Sequence, residues 1–139
     1  MPGIGDSVAG VALSASDDFS ARYDLDLVQG VFSRPAHSLY GEIYVGRILV
    51  LNTAKGGVAS SWMLKNMVDQ GMAPAALVLN AANPIMAQGA AFANLPLVHQ
   101  FDVDITAAIS SGDLLTVDPA AGTVIMYRRP DRDREPYQP

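Results

Sequence analysis

The apolar positions of this 139-residue chain fall into short runs that are separated by turn residues. Segments rich in Val, Ile and Leu predict strands at Val8–Ser14, Glu42–Asn52 and Ala76–Asn80. The stretch between the first two strands carries Asp17-Asp18 and Arg34-Pro35, which are typical of turns. The N-terminal part therefore predicts a β-rich layer with an irregular loop.

Elsewhere the apolar spacing changes to that of helices. Trp62, Met63 and Met67 can share one helical face, and Gly71 stands where a glycine commonly follows a helix, which predicts a helix over roughly 60–70. Asn83 and Pro84 suit the N-cap and the first position of a second helix that reaches about residue 91.

The two units echo each other, because Leu49–Ala54 recurs as Leu77–Ala82. Two consecutive strand–helix units predict parallel strands whose carboxyl ends meet at one edge of a sheet, where ligands of open α/β sheets bind. Asn52 and Asn80 end these strands. We therefore expect both side chains to face one crevice as substrate-binding candidates, with ordinary turn chemistry as the alternative.

The C-terminal part returns to β structure. A third strand is predicted at Leu95–Phe101, a helical turn at Ile105–Ile109, and a hairpin from Leu114–Asp118 and Thr123–Tyr127. Residues 128–139 are charged and proline-bearing, which is typical of a flexible tail. The pattern thus predicts one α/β domain over 1–127 followed by a tail over 128–139.

Composition excludes several classes of function. A net charge of −5 with nine Lys and Arg argues against nucleic-acid binding. No apolar stretch predicts a membrane span and the first residues lack a secretion signal, so we expect a cytoplasmic protein. The chain has no cysteine, and His37 and His99 lack metal-ligand spacing, so we expect no metal or cofactor bound by this chain alone.

The segment Lys55-Gly56-Gly57-Val58 lies between a predicted strand and a predicted helix. Free N–H groups at the start of a helix favour anions, glycines permit close approach of a ligand, and a lysine adds positive charge. This loop therefore predicts binding of a carboxylate or phosphate, with a solvated surface lysine as the alternative for Lys55.

Three further side chains are candidates for chemistry near this loop. Ser60 and Ser61 could act as a base if the helix N-terminus stabilised an alkoxide, or either could simply cap the helix. His37, in a predicted loop, could contact substrate or could serve a structural hydrogen bond.

The order of several short motifs resembles the small subunit of aconitase X. The motifs are His37-x-Leu39-Tyr40-Gly41, Ile48-Leu49-Val50, Lys55-Gly56, Ser61, Gly71-x-Ala73-Pro74, Asn83-Pro84-Ile85, Gly89-Ala90, Leu95-Pro96-Leu97-Val98 and Gly112-Asp113. The resemblance runs from about Val8 to Tyr127 and covers nearly the whole chain.

This resemblance implies a swivelling β/β/α domain that completes an active site held mainly by a large subunit. It implies dehydration of a small hydroxy acid such as cis-3-hydroxyproline or mevalonate 5-phosphate. An iron–sulfur cluster, where present, would be bound by the large subunit.

The chain departs from the family pattern at one position. Relatives usually read Gly-Lys/Arg-Gly-Ser in the loop, with that serine as the suggested proton-abstracting base, whereas this chain has Gly57 there. The resemblance suggests Ser61 or Ser60 as a substitute for that base.

Two other functions stay open. The chain could be a phosphohistidine swivelling domain, although Ser61 stands where the histidine of such a domain should be. It could also be a non-catalytic binding or regulatory subunit.

Overall fold

Residues 3–127 are described by a computed structural model of the chain, and the predicted tail lies outside them. In this range the strands are β1 (Val8–Ser14), β2 (Leu25–Asp26), β3 (Val31–Phe32), β4 (Ile48–Ala54), β5 (Ala76–Ala82), β6 (Leu97–His99), β7 (Leu114–Asp118) and β8 (Thr123–Tyr127). The helices are α1 (Ala21–Asp24), α2 (Val58–Asp69), α3 (Pro84–Ala93) and α4 (Ile105–Ala108).

Six strands form one sheet in the order β6-β5-β4-β1-β7-β8. The first four run parallel, and β7 and β8 form an antiparallel hairpin against β1. Strands β2 and β3 pair separately. The α/β class, the parallel βα units and the C-terminal hairpin are therefore confirmed.

Strands β4 and β5 form the centre of the core. Residues Ile48–Leu51 and Ala76–Leu79 are fully buried because the sheet is covered on both faces. Leu49, Leu51, Leu77 and Leu79 pack on one face with residues of α2 and α3, while Ile48, Val50, Ala76 and Val78 pack on the other with α4.

The central helices begin close to their predicted positions. Helix α3 has Asn83 as its N-cap, and the Asn83 side chain accepts a hydrogen bond from the Met86 N–H at 2.8 Å. Helix α2 begins at Val58 with Gly57 as its N-cap, so the interpretation of Ser60 or Ser61 as the cap is wrong. Gly71 adopts φ +71° just after α2, as its predicted helix-ending role requires.

Two predicted strand boundaries are wrong. The strand predicted from Glu42 begins only at Ile48, because Gly46 has a left-handed φ of +72° that extended structure cannot continue through. The strand predicted over 95–101 shortens to Leu97–His99, since Gln100 has φ +66°.

No helix within residues 3–127 is long and apolar enough to cross a membrane.

Helices α2 and α3 approach each other closely at one point. A Cβ added to Gly89 of α3 would lie 3.0 Å from the Cα of Ser61 in α2 and would collide with the Ser61 hydroxyl. Gly89 lies within α3 and has an ordinary helical conformation, so its backbone does not need glycine. The close contact between the two helices does.

Candidate functional site

Strands β4 and β5 pair so that equivalent residues of the repeated sequence lie side by side. Leu51 pairs with Leu79 and Thr53 with Ala81, which places Asn52 beside Asn80 at the carboxyl edge of the sheet. The Asn80 amide donates a hydrogen bond to Asn52 Oδ1 at 3.0 Å. The two side chains therefore meet at one edge, as the repeat predicts.

This amide pair belongs to a longer polar network. Asn52 Nδ2 donates to Asp18 Oδ1 at 2.8 Å, and Asn80 Nδ2 donates to Asp104 Oδ1 at 2.9 Å. The Ile105 N–H donates to Asn80 Oδ1 at 2.8 Å, which fixes the orientation of the Asn80 amide. The network of Asp18, Asn52, Asn80 and Asp104 thus ties the loops that follow β1 and β6 to the carboxyl-terminal parts of β4 and β5.

Beside the network lies a polar cleft of about 210 Å³, whose charged lining residues are Asp17, Asp18, Asp24, Arg34 and Lys55. The Lys55 ammonium is 3.3 Å from Asp18 Oδ2, and the lysine side chain is 66% exposed. Arg34 lies 3.1 Å from Asp24, whose carboxylate is buried. Each cation is therefore balanced by a carboxylate, and the Lys55 pair faces water.

The His37 ring is buried, with only 2% of its side chain exposed, and both ring nitrogens are engaged. The Leu39 N–H donates to Nδ1 at 3.1 Å, so Nε2 carries the proton and donates to the Asp18 carbonyl at 3.0 Å. The ring also packs on Phe32 with centroids 4.7 Å apart. His37 therefore holds the backbone of the Asp17–Asp18 turn in place through its ring nitrogen Nε2.

Asp17 completes this turn. Its carboxylate accepts hydrogen bonds from the Ser38 hydroxyl at 2.6 Å and from the Ser38 N–H at 3.0 Å. Burial opposes ionisation, but the Ser38 donors outweigh it and hold the pKa of Asp17 below its ordinary value of 3.8. At the far end of the network, hydrogen bonds from Asn80 and Thr106 lower the pKa of Asp104.

We expect Ser38→Ala to raise the pKa of Asp17, because the variant loses the hydroxyl donor to the carboxylate. A carboxylate with a lowered folded-state pKa stabilises the fold above its unfolded pKa, and that contribution is lost as pH falls through the folded pKa. Wild type and variant should therefore differ in stability at neutral pH and converge in acid.

Carbon-detected NMR titration of the Asp17 carboxyl measures this shift, and thermal unfolding across pH measures its consequence. Ser33→Ala, at an exposed serine of the same segment, is the control. An unchanged Asp17 pKa in Ser38→Ala would contradict the assigned hydrogen bond.

The glycine loop leads from β4 into α2. Lys55, Gly56, Gly57 and Val58 are all exposed, and Gly56 has φ +127°. A Cβ at Gly56 would collide with the hydroxyl of Ser60, so only glycine allows the loop to fold against that residue. No side chain caps α2 at Gly57, which leaves the N–H groups of its first turn open to an anion.

The two serines occupy different environments. Ser60 is only 3% exposed beneath the loop. Ser61 is half-buried and lines an apolar groove of about 270 Å³ between α2 and α3, with its hydroxyl beside Gly89. Of the two serines, only Ser61 is partly exposed.

Sequence reasoning missed the acidic partners of the site. The sequence pattern marks Asp17 and Asp18 only as turn residues and does not single out Asp104. The parallel pairing of β1 with β4 brings Asp17 and Asp18 to the same edge of the sheet as Asn52.

Within residues 3–127, no group of three or more His, Cys, Asp or Glu side chains is arranged to hold a metal ion.

Comparisons with known proteins agree on one family. The aconitase X swivel domain matches residues 3–126. The phosphomevalonate dehydratase small subunit of Methanopyrus kandleri is 35% identical over 77% of this chain and 79% of its own length. That of Methanocella arvoryzae is 32% identical over 86% and 91%. The crystal structure of Thermococcus kodakaraensis aconitase X matches with a TM-score of 0.81 and 25% identity, covering 90% of this chain and 93% of that one.

Proposed function

Because this chain belongs to the aconitase X swivel domain family, we propose that it is the small subunit of a two-subunit dehydratase. The observation that carries the proposal is the similarity to relatives named phosphomevalonate dehydratase small subunit along most of both chains. We take mevalonate 5-phosphate as the substrate, with cis-3-hydroxyproline as the competing hydroxy acid. The large subunit supplies the rest of the active site.

The exposed loop supports binding of an anionic substrate. Exposed ion pairs contribute only about 1 kcal/mol or less, so Lys55 can leave Asp18 for a phosphate or carboxylate at small cost. The first turn of α2 adds N–H donors and the positive end of the helix dipole beside Gly57 and Val58. Lys55–Val58 therefore hold the substrate's anionic group in this proposal.

His37 and the two asparagines act differently. Their side chains already make hydrogen bonds within the chain, which place the Asp17–Asp18 turn and the strand ends around the cleft. Within residues 3–127, Asn52 Nδ2 donates one hydrogen bond, to Asp18, so its second amide hydrogen can turn to the substrate. We propose that they shape the substrate site mainly by holding its loops.

Elimination of water from a hydroxy acid removes a proton from one carbon and the hydroxyl from its neighbour. We propose Ser61 as the proton acceptor on this chain, because the hydroxyl of Ser60 is buried. The dipole of α2 favours the alkoxide form of a serine in its first turns. The hydroxyl leaves as water after protonation by a group that we assign to the large subunit.

An iron–sulfur cluster does not fit this chain, since its sequence contains no cysteine to supply thiolate ligands. We therefore place any such cluster on the large subunit and derive no step through it here.

One feature of the sequence supports a second candidate function. By the resemblance to aconitase X small subunits, Gly57 stands where relatives usually have the serine suggested as the base. A subunit that has lost this group and not replaced it would bind the substrate or regulate its partner without taking part in the chemistry.

Reconstitution tests the proposed function. We expect the full chain alone to show no dehydration of mevalonate 5-phosphate, and we expect turnover when it is mixed with the large subunit encoded in the same genome. Release of water is followed by the absorbance of the new double bond, with cis-3-hydroxyproline assayed in parallel. Turnover by the isolated chain, or none by the mixture on either substrate, would contradict the proposal.

A further inference from the structure

Arg34 is the second cation of the polar cleft, beside Lys55. A guanidinium has five N–H donors, and within residues 3–127 that of Arg34 donates one hydrogen bond, from Nη1 to Asp24 Oδ1 at 3.1 Å. The arginine side chain is 54% exposed. Its other donors are therefore open to a ligand that enters the cleft from water.

The acidic side chains of the cleft lie deeper than its two cations. Asp24 is buried, and its second carboxylate oxygen accepts a hydrogen bond from the Ser20 N–H at 2.8 Å. Asp17 and Asp18 are 24% and 31% exposed, well below the exposed fractions of the two cations. Each of these carboxylates also accepts hydrogen bonds from the chain itself. An anion that arrives from water therefore meets positive charge first.

The structure holds Arg34 in place from two directions. Its carbonyl accepts a hydrogen bond from the His37 N–H at 3.0 Å, and the preceding Ser33 N–H donates to the Asp24 carbonyl at 2.8 Å. The buried Asp24 carboxylate fixes the guanidinium through Nη1. A planar guanidinium matches the oxygens of a phosphate or carboxylate in a two-point contact, and one that is already positioned loses less entropy on binding. Arg34 is thus built as an anion-binding group.

We infer that Arg34 binds the phosphate of the substrate and thereby selects a substrate with two anionic groups. This inference rests on the proposed function and deepens it. Mevalonate 5-phosphate carries a carboxylate at one end and a phosphate at the other, whereas cis-3-hydroxyproline carries only a carboxylate. The proton next to the carboxylate is the more acidic one, so that end belongs beside α2, which carries the proposed proton acceptor. The phosphate end then extends into the cleft to Arg34.

Two substitutions test this role in the enzyme assembled with the large subunit. Arg34→Lys keeps a positive charge beside the buried Asp24 but removes the two-point contact, and Arg34→Gln removes the charge as well. We expect both to raise KM for mevalonate 5-phosphate, Arg34→Gln by about tenfold or more, as loss of a hydrogen bond to a charged group does. The loss should fall on KM more than on kcat. The inhibition constant of mevalonate, which lacks the phosphate, should stay at the wild-type value.

Arg22→Gln is the matched control, because Arg22 is an exposed arginine on α1 that lies over the Tyr23 ring and does not line the cleft. It should change neither constant. Circular dichroism and Tm verify that each variant is folded. If the wild-type enzyme turns over mevalonate 5-phosphate and both Arg34 variants keep its KM, the inference is wrong while the proposed function stands. An equal weakening of inhibition by mevalonate would assign the loss to the shape of the cleft, which also overturns the inference.

A titration with inorganic phosphate needs neither turnover nor substitution. When phosphate is added to the full wild-type chain, we expect the Nε–H resonance of Arg34 to shift in the NMR spectrum and that of Arg22 to stay in place. If the assembled enzyme dehydrates neither hydroxy acid, the proposed function fails, and this titration decides the inference alone. A shift at Arg34 then supports the phosphate site, and no shift overturns it.

Discussion

Ser61→Ala should lower kcat of the assembled enzyme by at least about a hundredfold, since loss of a general base typically costs 10²–10⁴ in rate. The change should leave the fold intact, because alanine is a better helix former than serine and Ser61 lies within α2 without capping it. The kinetics are measured at saturating large subunit, and substrate binding is measured separately by calorimetry.

Ser60→Ala is the internal control for this experiment. Its hydroxyl is buried beneath the glycine loop, so its loss should reduce Tm and change kcat far less. Equal and near-normal kcat values in the two variants would show that neither hydroxyl accepts the proton. The acceptor would then lie on the large subunit, and the small subunit would contribute binding alone.

Gly57→Ser should restore turnover to the Ser61→Ala variant. A Cβ at Gly57 meets no atom of residues 3–127 within 4 Å, and its φ of −109° is not the left-handed one that favours glycine, so the loop has room for a serine side chain. By the resemblance to aconitase X small subunits, the new hydroxyl would stand where relatives usually carry the suggested base. It also occupies the N-cap of α2, where serine is preferred.

We expect the double variant Gly57→Ser/Ser61→Ala to recover at least about tenfold in kcat over Ser61→Ala, a fraction of the usual contribution of a base. Gly57→Ala in the same background controls for the added side chain and should recover nothing. An equal recovery by alanine would assign the effect to loop stiffness. No recovery by serine, in a folded and assembled enzyme, would contradict a proton-accepting role for this position.

The local sequence pattern was sufficient to predict the elements at the centre of the fold. The apolar runs of β4 and β5, the Asn83-Pro84 start of α3 and the glycine after α2 each depend on neighbouring residues, so they could be predicted. The start of β4 was predicted too early because an apolar and aromatic segment from Glu42 looks extended until the backbone of Gly46 is known.

The site was harder to predict because its partners are distant in sequence. Asp18 meets Asn52 across 34 residues and Asp104 meets Asn80 across 24, and both contacts depend on the order of strands in the sheet. The role of His37 was also set by contacts that the sequence does not reveal. Its sequence position marked it as a candidate, but only the Asp18 carbonyl and the Leu39 N–H reveal that both its nitrogens are engaged.

The polar network at the sheet edge has a mechanical consequence. Since Asp18, Asn52, Asn80 and Asp104 are joined in series, the two loops that carry the aspartates and the two strands that carry the asparagines cannot be displaced one at a time without breaking a hydrogen bond. They form one connected edge at the end of the sheet. Any reorientation of the domain would therefore carry these four side chains and the cleft beside them as one preassembled unit.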